Sequence, residues 1–225
     1  MNVSSAKINE SILRLKTDIF GNYFPRKHIG GEPPLRSELF SADQMEQHGK
    51  ILAGSHQLSP GGPQGRLLKR LAENQAILIG VRNLLIEAVQ ANRRITPAGE
   101  WLLDNFYLIV EQIRTAKRHL PKGYSRELPR LLNSPSAGLP RVYDLALETI
   151  SHGDGRVDPE GLSSFIAAYQ TVTALKLGEL WAIPIMLRIA LIENLRRVAA
   201  RIATDRVHRN LADFWADQMI EIAEQ

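Results

Sequence analysis

The sequence predicts an all-α protein: a multi-helix bundle of antiparallel amphipathic helices behind a Pro/Gly-rich N-terminal segment. Three observations carry that prediction. Apolar residues recur at spacings of three and four along most of the chain. Sustained period-two alternation and Asn-Gly hairpin turns are absent. Helix starts are marked by capping residues followed by proline, or by glutamine three positions on.

In chain order, Ile8, Ile12, Leu15 and Ile19 predict a short helix over residues 7–20. FPRKHIGGEPPLRSE then interrupts it, because proline and glycine cannot sustain the helical ladder. SADQMEQHGKILA begins with a capping box, Ser41 at the N-cap and Gln44 three residues on. After the breaker LSPGGPQG, a long helix to about residue 93 aligns Leu67, Leu71, Leu78, Val81, Leu85 and Val89 on one face. Thr96–Pro97 opens the next, with an apolar stripe through Trp101, Leu102, Leu108, Ile109 and Ile113. Proline-first starts recur at Pro140 and at Asp158–Pro159, the latter ahead of Leu162, Phe165, Ile166 and Tyr169. A pattern from about 178 to 204 and a final amphipathic piece (Leu211, Phe214, Trp215, Met219, Ile220) complete the chain. Pro184 falls inside the 178–204 pattern, at a cost of about 3 kcal/mol unless the helix kinks or starts there. This divides the chain into residues 1–65, short helices and linkers, and a helical domain over 66–225.

Composition narrows the function classes. With 44% hydrophobic and 23% charged residues, the chain is a globular and not a disordered one. Its net charge of +4 is spread along the sequence, which argues against nucleic acid as a partner. The absence of cysteine excludes disulfides, thiolate nucleophiles and Cys-ligated zinc. The N-terminus lacks a secretory pattern and no apolar run reaches a membrane-spanning length. LKLGELWAIPIMLRIALIENL, the nearest candidate, carries Lys176, Glu179, Arg188 and Glu193 and reads as a buried, bent helix outside the membrane.

No motif for catalysis, metal or cofactor survives inspection. SHGD at 151–154 puts serine, histidine and aspartate side by side, whereas a triad needs them converging in space. The same region fails as a calcium loop, since the twelfth position from Asp154 is Phe165 where a glutamate is required. Asp158 reads instead as an N-cap. SPGGPQGR lacks the spacing of a phosphate loop and has no strand before it. The six histidines never stand at i, i+4 to one another, so no metal site is expected.

Two polar groupings are candidates for specific contacts. Asp104 and Asn105 interrupt the apolar stripe beside Trp101, and Tyr124, Arg126 and Glu127 sit between Pro121 and Pro129. The structural expectation is a clasp, with Tyr124 or Arg126 meeting Asp104 or capping a helix end. Arg196, Arg197, Arg201, Arg206 and Arg209 form the densest basic cluster, expected to be a solvated face or an ion-pair set, with Glu193 placed to pair with Arg197.

EWLLDNFYLIVEQI, LPKGYSRELPRL, GLPRVYDLALETISHGDGRVD, FIAAYQ and LKLGELWAIPIMLRIALIENLRRVAARI follow one another in order over residues 100–202. Together they resemble the N-terminal region of the cyclic β-1,2-glucan synthase family, very large bacterial membrane enzymes. That resemblance implies a parent enzyme that polymerises glucose from UDP-glucose on a protein-linked chain and then cyclises it. It implies a membrane-embedded transferase domain and a C-terminal phosphorylase-like domain, neither of which fits in 225 residues. The family's nucleotide-sugar catalytic residues have no counterparts here. The expectation is a helical segment on the cytoplasmic face of the bacterial inner membrane, a noncatalytic scaffold partnering the transferase domain. The alternative is a module that contacts UDP-glucose or β-glucan through Trp101, Tyr107, Tyr124 or Trp181.

Overall fold

A computed structural model describes residues 32–59, 66–120 and 122–223. The helix expected over 7–20 and most of the first and second Pro/Gly-rich passages lie outside the described residues. Those described form eight helices: α1 (Ala42–Ser55), α2 (Arg66–Gln90), α3 (Pro97–Asp104), α4 (Phe106–His119), α5 (Lys122–Glu127), α6 (Arg141–His152), α7 (Pro159–Gln170) and α8 (Leu177–Ala223). Two-residue strands β1 (Leu58–Ser59) and β2 (Arg130–Leu131) pair antiparallel, Leu58 opposite Leu131 and Ser59 opposite Arg130. The fold is all-α. None of the described helices is long and apolar enough to cross a membrane.

Local chemistry sets most of the boundaries. Ser41 and Gln44 close a reciprocal capping box at the start of α1. The Thr96 side chain accepts from Gly99 N–H at 3.2 Å, and Asp158 Oδ2 accepts from Gly161 N–H at 2.7 Å; both precede a proline that has no N–H to satisfy. Pro140 departs from this pattern, standing at the N-cap of α6 with no side-chain bond.

Three elements differ from the sequence expectation. The stripe beyond Thr96 is broken at Asn105, whose Nδ2 donates to Trp101 O at 2.9 Å and whose backbone leaves the helical range at ψ 8°. A short amide side chain competes with the backbone for its own turn. Leu102, Ile109 and Ile113, seven and four apart, are buried, while Trp101 and Leu108 on the neighbouring face are exposed. The stretch between Pro121 and Pro129, whose Lys122–Gly123 reads from sequence as a turn, forms the six-residue α5 over Lys122–Glu127. The two last patterns are one 47-residue helix, α8, which continues through Pro184.

The chain divides into two compact units. The first comprises Gln75–Tyr107 and Arg196–Gln225, with Glu32 before them; its core includes Leu78, Val81, Leu85, Leu102, Ala199 and Ala203. The second comprises Pro33–Asn74 and Leu108–Leu195. Its core is built on Leu67, Leu71, Ile113, Tyr143, Phe165, Tyr169 and Ile189, with α1 packed along α7. Gly49 makes that packing close, since a Cβ there would meet the Phe165 ring and carbonyl at 3.0 Å.

Candidate functional site

The densest polar network lies in the second unit. Arg141, the first residue of α6, donates Nε and Nη2 to the two carboxylate oxygens of Glu179 at 2.6 and 2.7 Å, and Nη2 also reaches Ala174 O at 2.8 Å. Glu179 lies in the first turn of α8 and also accepts from Lys176 N–H at 2.9 Å, so one carboxylate pairs the guanidinium and caps a helix. The Arg141 guanidinium stands 5.8 Å from the centre of the Tyr169 ring. Tyr169 Oη meets His56 Nδ1 at 2.9 Å, and His56 Nε2 meets Asp144 Oδ2 at 3.2 Å.

Burial raises the Tyr169 phenol above its ordinary range, with Glu179 and Asp144 pushing the same way and Arg141 opposing. For Arg141, burial disfavours the charge, but the bond and attraction to Glu179 win and its pKa is raised. The Asp144–His56–Tyr169 order resembles an acid–base relay. Its three side chains are nevertheless closed off from solvent, so no substrate reaches the phenol. What the arrangement does is lock α1, α6, α7 and α8 together.

Of the residues singled out from sequence, Tyr124 donates its hydroxyl to Gly178 O, tying α5 to the start of α8. Burial raises its pKa, with smaller contributions from Glu127 and Glu179. Glu127 is exposed, and Arg126 occupies the same short helix. Asp104 belongs to the first unit and Tyr124 to the second; Asp104 is exposed at the end of α3, beside a surface cavity of about 520 Å³ that Arg93 and Arg94 also line. The acceptor of the Tyr124 hydroxyl is thus a helix carbonyl.

The arginine cluster is divided by burial. Arg196 and Arg206 are buried; Arg201, paired with Asp205 at 3.4 Å, and Arg209 are exposed. Arg196 and Arg197 both face Glu32, the latter at 3.7 Å. Arg206 Nη1 donates to Arg94 O at 2.9 Å, and burial lowers its pKa, with Arg93 and Arg209 adding to the effect. Glu193 accepts from Arg70 at 2.6 and 3.0 Å and from Asn74 at 2.8 Å, a set of partners more than a hundred residues distant in sequence.

SHGD resolves as a helix end. Ser151 Oγ meets Ser37 Oγ at 2.7 Å, Asp154 faces Arg36 at 3.5 Å, and Asp154 and Gly155 take positive φ (50° and 78°). His152 joins a different group, with His48 of α1 and Glu148 of α6. Considering histidine–histidine spacing alone misses this set; the readable signal was the i, i+4 pair Glu148 and His152 on one face of α6. His152 also lines a cavity of about 250 Å³ with Phe40, Met45 and Phe165.

No family profile matches the chain. Over 198 residues it is 37% identical to the cyclic beta-(1,2)-glucan synthase NdvB of Rhizobium meliloti (strain 1021). The chain is a relative of the cyclic β-(1,2)-glucan synthases. The match takes in 87% of this chain but only 7% of NdvB, consistent with an N-terminal region of that much longer protein. The stretches of this chain that carry the resemblance fall on α3 to α8, and Arg141, Asp144, Tyr169 and Glu179 of the buried network lie within them.

Proposed function

We propose that this segment is a noncatalytic helical scaffold that packs against a UDP-glucose-dependent glucosyltransferase domain at the cytoplasmic face of the bacterial inner membrane. The carrying observation is a stripe on α8. Leu177, Trp181, Pro184 and Leu191 share one helix face, and all four are exposed, Trp181 at 76% and Leu177 at 66%. An amphipathic helix ordinarily turns such residues inward, and an aromatic anchor flanked by aliphatics is how binding energy concentrates at protein interfaces. The occupant follows from the match to a small share of a far longer glucan synthase, whose remaining domains are the nearest available partner. The sealing of the Arg141 network supports a structural role over a catalytic one.

The experiment uses a full-length relative lacking this segment, with the present chain supplied separately. Incorporation of labelled glucose from UDP-glucose into cyclic product is expected to return with the native chain. It is expected to fail with a Leu177→Ser, Trp181→Ser, Leu191→Ser variant that keeps its helical circular dichroism. Full activity of the deleted enzyme alone would remove the proposal.

A second reading, direct binding of nucleotide sugar or β-glucan, is favoured by the exposed rings of Trp181, Trp101 and Tyr107, which could stack on sugar faces. Titration calorimetry with UDP-glucose and β-1,2-glucan oligomers tests it, and the absence of heat with both eliminates it.

A further inference from the structure

The geometry points to a divalent metal site of the zinc class at His48, Glu148 and His152, independent of the scaffold reading. Glu148 and His152 stand one turn apart on α6, and His48 approaches from α1. His48 Nε2 lies 2.8 Å and His152 Nε2 3.3 Å from Glu148 Oε2, and the three ligand atoms all fall within 4.8 Å of one another. Two imidazoles and a carboxylate are the nitrogen and oxygen donors that zinc and its neighbours accept in a three-ligand site with an open position.

The second observation concerns tautomers. His152 Nδ1 lies 2.7 Å from Glu38 O, and a carbonyl only accepts, so Nδ1 carries the hydrogen. In the neutral ring, Nε2 then presents a lone pair to Glu148 Oε2, which is also an acceptor. Two acceptors at 3.3 Å call for something between them: a hydrogen on the ring or on the carboxyl, or a metal ion. A backbone carbonyl on the far nitrogen is the outer-shell support that fixes metal-bound histidines.

The rings are also held in place. Phe40 stacks on His152 with centroids 3.7 Å apart and planes 12° from parallel, and meets His48 edge-on at 5.4 Å. The ligand side chains retain exposures of 24% (His48), 28% (Glu148) and 10% (His152), so an ion can enter and keep water on its open side. A bound ion would cross-link α1, α6 and the Glu38 segment within the second unit.

The test takes the full chain, free of any affinity tag and stripped with chelator, and titrates it with Zn²⁺ by calorimetry and with Co²⁺ by visible absorption. One ion per chain is expected, with Co²⁺ ligand-field bands and a Zn²⁺-dependent rise in melting temperature. His48→Gln, Glu148→Gln and His152→Gln should each weaken Zn²⁺ binding by at least about a hundredfold, the most that losing even an outer-shell partner costs. His119→Gln and His208→Gln should change nothing. Chelator-treated melts of each variant separate loss of binding from loss of fold, and Glu148→Gln keeps the side-chain volume should a histidine variant fail to fold. Absence of saturable binding, or binding that all three substitutions leave intact, would overturn the site.

Discussion

Arg141 and Glu179 form a two-point ion pair, 2.6 and 2.7 Å, with side chains only 3% and 1% exposed. Such a pair stabilises little relative to well-packed apolar residues, but removing one partner strands a charge in the interior. Arg141→Met and Glu179→Gln are each expected to lose about 3–5 kcal/mol of unfolding free energy. The double variant should lose clearly less than the sum of the singles. Urea unfolding of the four proteins measures the coupling, and additive losses would show that the pair does not act as a unit.

The Tyr169 phenol titrates higher folded than unfolded, from an ordinary value of 10.0, because burial penalises the phenolate. The folded state therefore holds this proton more tightly. Its contribution to stability is complete below about pH 10 and is lost as pH rises through the folded value. Tyr124 acts in the same direction. Tyr169→Phe should cost about 1 kcal/mol near neutrality through the lost bond to His56. Melts from about pH 8 to pH 11 should show the gap between the two proteins narrowing above pH 10; a constant gap would contradict the assignment.

Asp158 and Thr96 cap helices in different units, so their losses should be separable. Thr96→Ala is expected to cost about 1 kcal/mol. Asp158→Ala should cost somewhat more, because the carboxylate also meets the positive end of the helix dipole. Asp158→Asn should fall between, since it keeps the hydrogen bond and drops the charge. An Asp158→Asn variant as stable as the native protein in thermal unfolding would remove the electrostatic part.

These caps are also where the sequence was most legible. Ser41, Thr96 and Asp158 act within three residues, so their identity and spacing carry the whole signal. Asn105 is visible as a polar interruption, but its bond to Trp101 O is not, and spacing alone does not separate exposed Trp101 from buried Leu102. Nothing local distinguishes Arg141 from a surface arginine at the start of a helix; its partner is 38 residues away. The histidine set is more remote still, with His48 a hundred residues from Glu148. Tyr124 donates to a backbone carbonyl, and since every residue has one, its acceptor could not be read from sequence.

Two glycines of α1 make opposite predictions from the same substitution. In an open helix position, glycine to alanine stabilises by up to about 1 kcal/mol, because glycine loses more conformational freedom on folding. Gly54 has nothing within 4 Å of an added Cβ, so Gly54→Ala should raise stability, by about 0.5 kcal/mol because it sits in the last turn of the helix. Gly49 lies where α1 presses on α7, and a Cβ would come to 3.0 Å from both the Phe165 ring and the Phe165 carbonyl. The ring could rotate, but the carbonyl belongs to helix backbone and cannot yield without shifting α7. Gly49→Ala should therefore destabilise by about 1–3 kcal/mol despite its better helix propensity. It should also disturb the Phe40 and His48 rings, since His48 precedes Gly49 and stacks over Phe165 at 6.5 Å. Equilibrium unfolding of the two variants side by side checks the pair, and a stabilised Gly49→Ala would mean that α1 and α7 are not in close contact.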